Sequence, residues 1–326
     1  MPLKLDCALE VWPLAEPFGI SSLVETEIEA VVVSLEQDGV TGRGEGNGVY
    51  FLGETGAVMM RQILAVRARI EAGLDRQALQ TLLPPGGARN TLDCALWDLE
   101  TKRSGRRAAE LAGLTAGPFR TLATVGLDVP EAMARKAQAL GFAETLKVKL
   151  GAEEPLARLR AVRAARPQAR LVVDANQAWS LDQLNAVWPA LKALGVEMIE
   201  QPLAAGHDHG LAQDLCGVTL CADESCHTRA DLPHLKGRYG MVNIKLDKTG
   251  GLTEALAMAG EARAQGFEVM VGNMIGTSLA MAPASLLAPL CRYVDLDGPL
   301  LLAKDRRPGM TYDGDRVLPP AAEVWG

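Results

Sequence analysis

Apolar and polar positions change rhythm once along this chain. In the first third, residues 4–12, 27–36 and 40–45 alternate as strands do, and Asp38-Gly39 supplies a hairpin turn between the last two. Apolar residues then recur at helical spacing through AVMMRQILAVRARIEAG, DRQALQTLL and NTLDCALWDLETKRSG, followed by AAELAG. Pro84, Pro85, Gly86 and Gly87 break one helix from the next. A meander followed by helices predicts a separate α+β unit, residues 1–118. From residue 119, short apolar runs alternate with amphipathic segments such as PEAMARKAQALG and EPLARLRAVRAARP, until YVDLDGP near residue 298. That alternation predicts seven or eight βα units forming a (β/α) barrel over residues 119–298. The Pro- and Gly-rich segment 299–326 is expected to return to the first unit.

Five of the apolar runs, LKVKL, ARLVVDAN, VEMIEQP, LCADES and MVNIKLDK, carry a charged residue where the strand would open into a loop. These residues are Lys149, Asp174, Glu200, Asp223 and Lys245, spaced 25, 26, 23 and 22 positions apart. In a closed barrel such strand ends converge on one mouth. Asp174, Glu200 and Asp223 offer hard oxygen donors of the kind magnesium accepts while leaving positions for substrate oxygens. One such acid alone would serve equally as a helix cap or a strand-end ion pair, but three in register need a cation. Lys147 and Lys149 alternate on one strand and share a side, so each is expected to disfavour the other's charge and free one amine as a base near neutral pH. An exposed edge strand is the alternative reading of Lys-x-Lys. Lys245 comes from the opposite side of the ring. Two lysines facing each other can remove a proton from one face of a carbon and return it to the other, the geometry of a racemase or epimerase. The metal would then hold a substrate carboxylate and stabilise its enediolate. Asp295-Leu296-Asp297 is either a turn before Gly298-Pro299 or a pair of carboxylates suited to a substrate ammonium.

Composition narrows the partner. The 326 residues are 48% hydrophobic and 22% charged, as in an ordinary globular protein. A net charge of -7 and the lack of a basic run with interleaved aromatics argue against nucleic acid. No window approaches a membrane span, and MPLKLDCALEVW lacks a charged segment followed by an apolar stretch, so a cytoplasmic protein acting on a small molecule is expected. Cys7, Cys94, Cys216, Cys221, Cys226 and Cys291 form no CxxC and are expected to be reduced. His207 and His209, in AAGHDHGLA, are expected in a solvated loop. Thr249-Gly250-Gly251 opens a helix, yet no GxGxxG follows a strand, so a nucleotide cofactor is not expected.

With NTLDCALWDLE, TLKVKL, VVDANQAW, IEQPL, CADESCHT, NIKLDKTGG and the closing DLDGP, the chain resembles the enolase superfamily, within its muconate-lactonizing subgroup and nearest to the dipeptide epimerases. The resemblance implies an α/β fold, a (β/α)7β TIM-like barrel under an α+β capping domain built from both termini. It implies Mg2+ on Asp174, Glu200 and Asp223, acid/base catalysis by Lys149 and Lys245, and Lys147 as companion. It also implies a small-molecule dipeptide whose α-ammonium is held by Asp295 and Asp297. The activity implied is inversion of the C-terminal α-carbon of an L-Ala-Xaa type dipeptide by two-base 1,1-proton transfer through an enediolate. N-acylamino acid racemase, o-succinylbenzoate synthase and muconate cycloisomerase are the neighbouring activities, and a non-catalytic ligand-binding barrel is the alternative of another class. A homo-oligomer is compatible with all of them. One departure bears on the substrate. Epimerases of this kind that act on Ala-Glu use an arginine in the first capping loop, whereas FGISSLVETEIEA has no Lys or Arg and carries Glu25, Glu27 and Glu29. The second loop, GEGNGVYFLGET, offers Tyr50, Phe51 and Leu52. Ser22, Glu25, Tyr50 and Phe51 are therefore the expected substrate-binding residues of the cap, favouring a hydrophobic C-terminal side chain, or a basic one should Glu25 turn inward.

Overall fold

The computed structural model describes residues 3–21, 23–212 and 217–326. Three antiparallel strands, β1 (Lys4–Gly19), β2 (Val24–Gln37) and β3 (Val40–Gly46), pair in the order β1-β2-β3. β2 starts earlier than its alternation suggests, because pairing with β1 resumes past a register shift between Pro13 and Phe18. Phe18 then lies opposite Glu25 and Gly19 opposite Val24, so Glu25 sits on a strand and not in a loop.

Helices α1 (Gly56–Glu71), α2 (Arg76–Leu82) and α3 (Gly87–Ser104) follow. Thr55 and Asp75 start the first two by accepting the Val58 and Ala78 N–H groups, which have no partner inside the helix. β3 reads Val-Thr-Gly-Arg-Gly-Glu-Gly, so strand periodicity puts Gly42, Gly44 and Gly46 on one face, against α3. A Cβ at Gly44 would stand 2.1 Å from Thr91 O, and one at Gly42 would stand 2.4 Å from Leu99 N. The helix thus rests directly on the strand backbone.

β4 (Phe119–Arg120) stays outside the barrel, although the FRTLATVGLD run reads as its first strand. It pairs instead with the C-terminal hairpin, Tyr312–Asp313 and Arg316–Val317. The barrel strands are β5 (Ala123–Val125), β6 (Thr145–Lys149), β7 (Arg170–Asp174), β8 (Val196–Glu200), β9 (Thr219–Ala222), β10 (Met241–Lys245), β11 (Glu268–Gly272) and β12 (Tyr293–Val294). Neighbours pair in chain order, all parallel. Leu122 N–H donates to Val294 O at 2.7 Å, joining the first strand to the last. Leu122, Val172, Met198, Cys221, Met241, Met270 and Tyr293 form an apolar cluster of their own, the floor of the barrel interior. Asp174, Glu200 and Asp223 stand two residues beyond Val172, Met198 and Cys221, and Lys245 stands four beyond Met241. A period of two keeps all of them pointing inward, above the floor.

α3 also docks on the turn after β10. Arg89 donates to the Thr249 and Gly250 carbonyls, Asp93 accepts Thr253 N–H at 2.9 Å, and Trp97 Nε1 donates to Thr253 Oγ1 at 2.9 Å. Gly251 has φ 117°, and a Cβ there would meet Asp93 at 2.5 Å, so the Gly-Gly pair makes room for the helix. Beyond Gly298, Leu302 bridges Leu14, while Trp325 Nε1 donates to Cys94 O at 3.0 Å and Arg43 donates to the Glu323 and Val324 carbonyls. No helix among the described residues is long and apolar enough to cross a membrane. Cys7, Cys94, Cys221, Cys226 and Cys291 are free thiols, and Cys216 lies outside the described residues.

Two glycine substitutions are expected to act in opposite directions. Gly44→Ala forces backbone from backbone and should cost about 3 kcal/mol or more. Gly260→Ala, in the helix Leu252–Ala264 where nothing lies within 4 Å of the new Cβ, should stabilise by roughly 0.5–1 kcal/mol. Denaturant unfolding midpoints of the two variants against the parent check both.

Candidate active site

The layer above the apolar floor is charged. Lys147 Nζ lies 2.8 Å from Asp295 Oδ2, 2.8 Å from Glu200 Oε2 and 3.2 Å from Asp174 Oδ2. The Glu200 contact has the distance of an ion pair without the angle of a hydrogen bond. Lys149 Nζ reaches the same Asp174 oxygen at 2.6 Å. Across the ring, Lys245 Nζ donates to Asp223 Oδ2 at 2.7 Å. The structure therefore brings together Lys147, Lys149, Asp174, Glu200 and Asp295, with Lys245 and Asp223 paired across the ring. Asp295 and Asp297 follow β12, where Asp297 Oδ2 accepts Thr124 N–H at 2.8 Å and Asp295 Oδ1 is buried with no partner.

Three further residues complete the layer and were not singled out. Lys248 donates to Asp223 Oδ1 at 2.6 Å, to Asp223 O at 2.5 Å and to Asn243 O at 3.0 Å. Asn243 Nδ2 donates to Glu200 Oε1 at 2.7 Å. Asn243 lies two residues before Lys245 on the same strand, and that alternation was a legible signal. Gln201, at φ 33°, accepts the Asp223 and Ser225 N–H groups with Oε1 and donates through Nε2 to Leu203 O, Ser225 Oγ and Tyr239 OH. No sequence pattern marks that role, which joins the ends of two neighbouring strands.

At Lys147 the carboxylates reverse the depression that a neighbouring lysine would cause. Burial alone would push the Lys147 ammonium down, but Asp295, Glu200 and Asp174 outweigh it and hold the pKa well above the ordinary amine value. Lys245 is likewise raised, Asp223 outweighing burial and the repulsion of Lys147. These amines face carboxylates at 2.6–3.2 Å. Reciprocally, against the upward push of burial, Lys149 and Lys147 hold Asp174 low, and Lys245 and Lys248 do the same for Asp223. Other acids are not compensated. Burial first, then Asp174, pushes Glu200 up to about 7; burial and Asp223 push Glu224 to about 8; burial and Asp295 push Asp297 to about 7.

Six buried carboxylates (Asp174, Glu200, Asp223, Glu224, Asp295, Asp297) thus meet four buried amines (Lys147, Lys149, Lys245, Lys248). Hard oxygen donors on neighbouring strand ends, a Glu200 whose burial the amines do not offset and a Glu200 Oε2 without a hydrogen bond fit a divalent cation at Asp174, Glu200 and Asp223. Among the described residues no three acidic, histidine or cysteine side chains are drawn up as a closed metal cage; Lys147 stands between the carboxylates instead. His209 Nδ1 lies 3.2 Å from Arg238, and neither it nor His207 joins a metal-ligand group.

The cap closes over this layer. A cavity of about 310 Å³ is lined by Lys149 and Lys245 from the barrel and by Glu25, Asn47 and Tyr50 from the cap. Glu25 therefore turns inward, and burial raises its pKa against the opposing pull of Lys149. Phe51 meets Tyr50 edge-on at 5.3 Å, packs on His227 at 5.7 Å and lines an adjoining cavity of about 930 Å³ with Ser21 and Leu23. Ser21 Oγ donates to Asn176 O at 2.9 Å, tying this loop to the barrel rim. Ser22 lies outside the described residues.

A capped parallel barrel with acids on three successive strands, between two lysine-bearing strands, is the architecture of the enolase superfamily. Residues 128–320 match the family described as enolase C-terminal domain-like, and residues 4–113 match the mandelate racemase / muconate lactonizing enzyme N-terminal domain. The chain belongs to this family. Over 306 residues, 93% of this chain and 95% of the relative, it is 48% identical to L-Ala-D/L-Glu epimerase of Escherichia coli K12. It is also 48% identical, over 78% of this chain and 80% of the relative, to N-acetyl-D-glutamate racemase of a Pseudoalteromonas species. Among solved structures, an enolase family member from Agrobacterium tumefaciens with homology to dipeptide epimerases, holding sodium and L-Ala-L-Glu, is 47% identical with TM-score 0.98 over 100% of both chains. A dipeptide epimerase from Enterococcus faecalis V583, complexed with Mg and L-Leu-L-Tyr, is 28% identical with TM-score 0.92 over 100% of this chain and 99% of the other.

Lys248→Met leaves Asp223 with one amine fewer and should lower stability at pH 7 by about 3–5 kcal/mol, as for a broken buried ion pair. Asp223 is held below its unfolded value, so this stabilisation is present above about pH 4 and is lost as the pH falls further. The gap between parent and variant should therefore narrow below pH 4 in denaturant titrations at a series of pH values.

Proposed function

We propose that this protein is a magnesium-dependent dipeptide epimerase, an isomerase that inverts the α-carbon of the C-terminal residue of an L-Ala-Xaa type dipeptide. The observation that carries this reading is that Lys149 on β6 and Lys245 on β10 line one cavity, with the acid-bearing strands β7, β8 and β9 between them. One lysine, as the neutral amine, takes the α-proton and the other, as the ammonium, delivers a proton to the opposite face, which is a two-base 1,1-proton transfer through an enediolate. Asp174 and Asp223 each hold one of these amines in place. Lys147, pinned among three carboxylates, is the companion that offsets negative charge beside the substrate. Mg2+ on Asp174, Glu200 and Asp223 would supply the Lewis acidity that stabilises the enediolate's added charge. Asp295 and Asp297 hold the dipeptide's α-ammonium, a role for which the unpartnered Asp295 Oδ1 is suited.

In this reading residues 1–118 cap the barrel of residues 119–298, with 299–326 returning to the cap, and the protein works in the cytoplasm as a monomer or homo-oligomer. The 48% identity to N-acetyl-D-glutamate racemase favours a second reading, racemisation of N-acylamino acids. An N-acyl group brings no ammonium to Asp295 and Asp297, so kcat/KM on L-alanyl and N-acetyl forms of the same amino acid separates the two.

Lys149→Ala and Lys245→Ala should each lower epimerisation about 10²- to 10⁴-fold, the usual worth of a positioned acid or base. α-Proton exchange with deuterated solvent should survive in each variant for one stereoisomer only, with opposite preferences. Epimerisation at the parent rate in either variant would rule out the two-base scheme. Glu200→Gln should weaken magnesium binding in calorimetry, and chelation should abolish turnover until magnesium is restored.

A further inference from the structure

We infer that the epimerised residue of the preferred dipeptide carries a cationic side chain, held by Glu25 with Glu27 and Glu29 of β2. This rests on the epimerase reading and names its substrate class. The α-carbon has four substituents, and the epimerase reading assigns three: the proton toward a lysine, the carboxylate toward the cation that Asp174, Glu200 and Asp223 would hold, and the amide nitrogen toward Asp295 and Asp297. The side chain must leave through the remaining direction, into the cavity under the cap.

That wall is built of acceptors. Glu25, Glu27 and Glu29 alternate on one strand and line the same cavity as Lys149 and Lys245. Among the described residues none of the three forms an ion pair, whereas Lys149 and Lys245 are already bonded to Asp174 and Asp223. Glu54, also at this wall, is engaged with the Gly87 and Val49 N–H groups, and Glu29 Oε2 accepts the Gly56 N–H at 3.3 Å, so Glu25 and Glu27 carry most of the acceptor capacity. Asn47 gives an independent indication. Its Nδ2 donates to Glu29 O at 3.1 Å and Ile275 O at 2.8 Å, which fixes the amide orientation and leaves Oδ1, on a side chain 6% exposed, buried without a partner. A donor-bearing cation satisfies both the carboxylates and this orphaned acceptor; a glutamate side chain would add a like charge and satisfy neither. Arg158, in the adjoining cavity, is tied to the Asp128 and Glu153 carbonyls.

The test measures kcat/KM and α-deuterium incorporation for L-Ala-L-Lys, L-Ala-L-Arg, L-Ala-L-Leu and L-Ala-L-Glu, with the parent and with Glu25→Gln and Glu27→Gln. The basic dipeptides are expected to exceed L-Ala-L-Glu by roughly tenfold or more, equivalent to about 1.4 kcal/mol. Glu25→Gln should shrink that ratio, mainly through KM, and added salt should shrink it too. L-Ala-L-Glu or L-Ala-L-Leu equalling the basic dipeptides would overturn this inference while leaving the epimerase reading intact. A basic preference unmoved in both variants would overturn the assignment to these carboxylates. Deuterium incorporation into none of the dipeptides would overturn both readings together.

Discussion

Removing a carboxylate from water costs several kcal/mol unless a counter-charge and hydrogen bonds meet it inside. This barrel buries six at one level and meets them with four amines, and much of the molecule serves that balance. The apolar floor from Leu122 to Tyr293 seals one side, so the charges cannot be relieved by water from below. Lys147 bridges three acids, Lys248 grips Asp223 from the turn after β10, and Gln201 fixes the Asp223 backbone from the neighbouring strand. What remains uncompensated is the burial of Glu200, Glu224 and Asp297, which a cation bound at this level would relieve.

The cap is tied to the barrel through one helix. The glycines of β3 let α3 lie against the strand, and α3 in turn docks on the segment directly after Lys245 through Arg89, Asp93 and Trp97. One helix therefore connects the sheet carrying Glu25 to the turn carrying Lys248. That chain of contacts links the sheet carrying Glu25 to the end of the strand carrying Lys245.

The first capping strand makes the relation to the similar proteins informative. Nearly half of the residues match an enzyme named for L-Ala-D/L-Glu, while β2 of this chain presents carboxylates to the cavity. On the proposed function, the barrel layer would set what is done to the α-carbon and the cap which side chain is admitted, and the two lie on different elements.

Much of the charged layer was legible in the sequence, because a parallel strand imposes a period of two and each βα unit repeats at a similar length. Lys149, Asp174, Glu200, Asp223 and Lys245 could be placed on one mouth from spacing alone, and the alternation Lys147/Lys149 and Asp295/Asp297 followed from the same period. The electrostatic outcome was not legible: two lysines two residues apart suggest mutual repulsion, and only the approach of strands β7, β8 and β12 shows that carboxylates prevail. The inward direction of Glu25 was equally hidden, since it depends on β1–β2 pairing beyond a register shift. β4 left the barrel because its partner comes from the far end of the chain. Sequence by itself determined periodicities and therefore which residues share a face; tertiary structure decided which faces meet, because contacts between distant segments leave no local pattern.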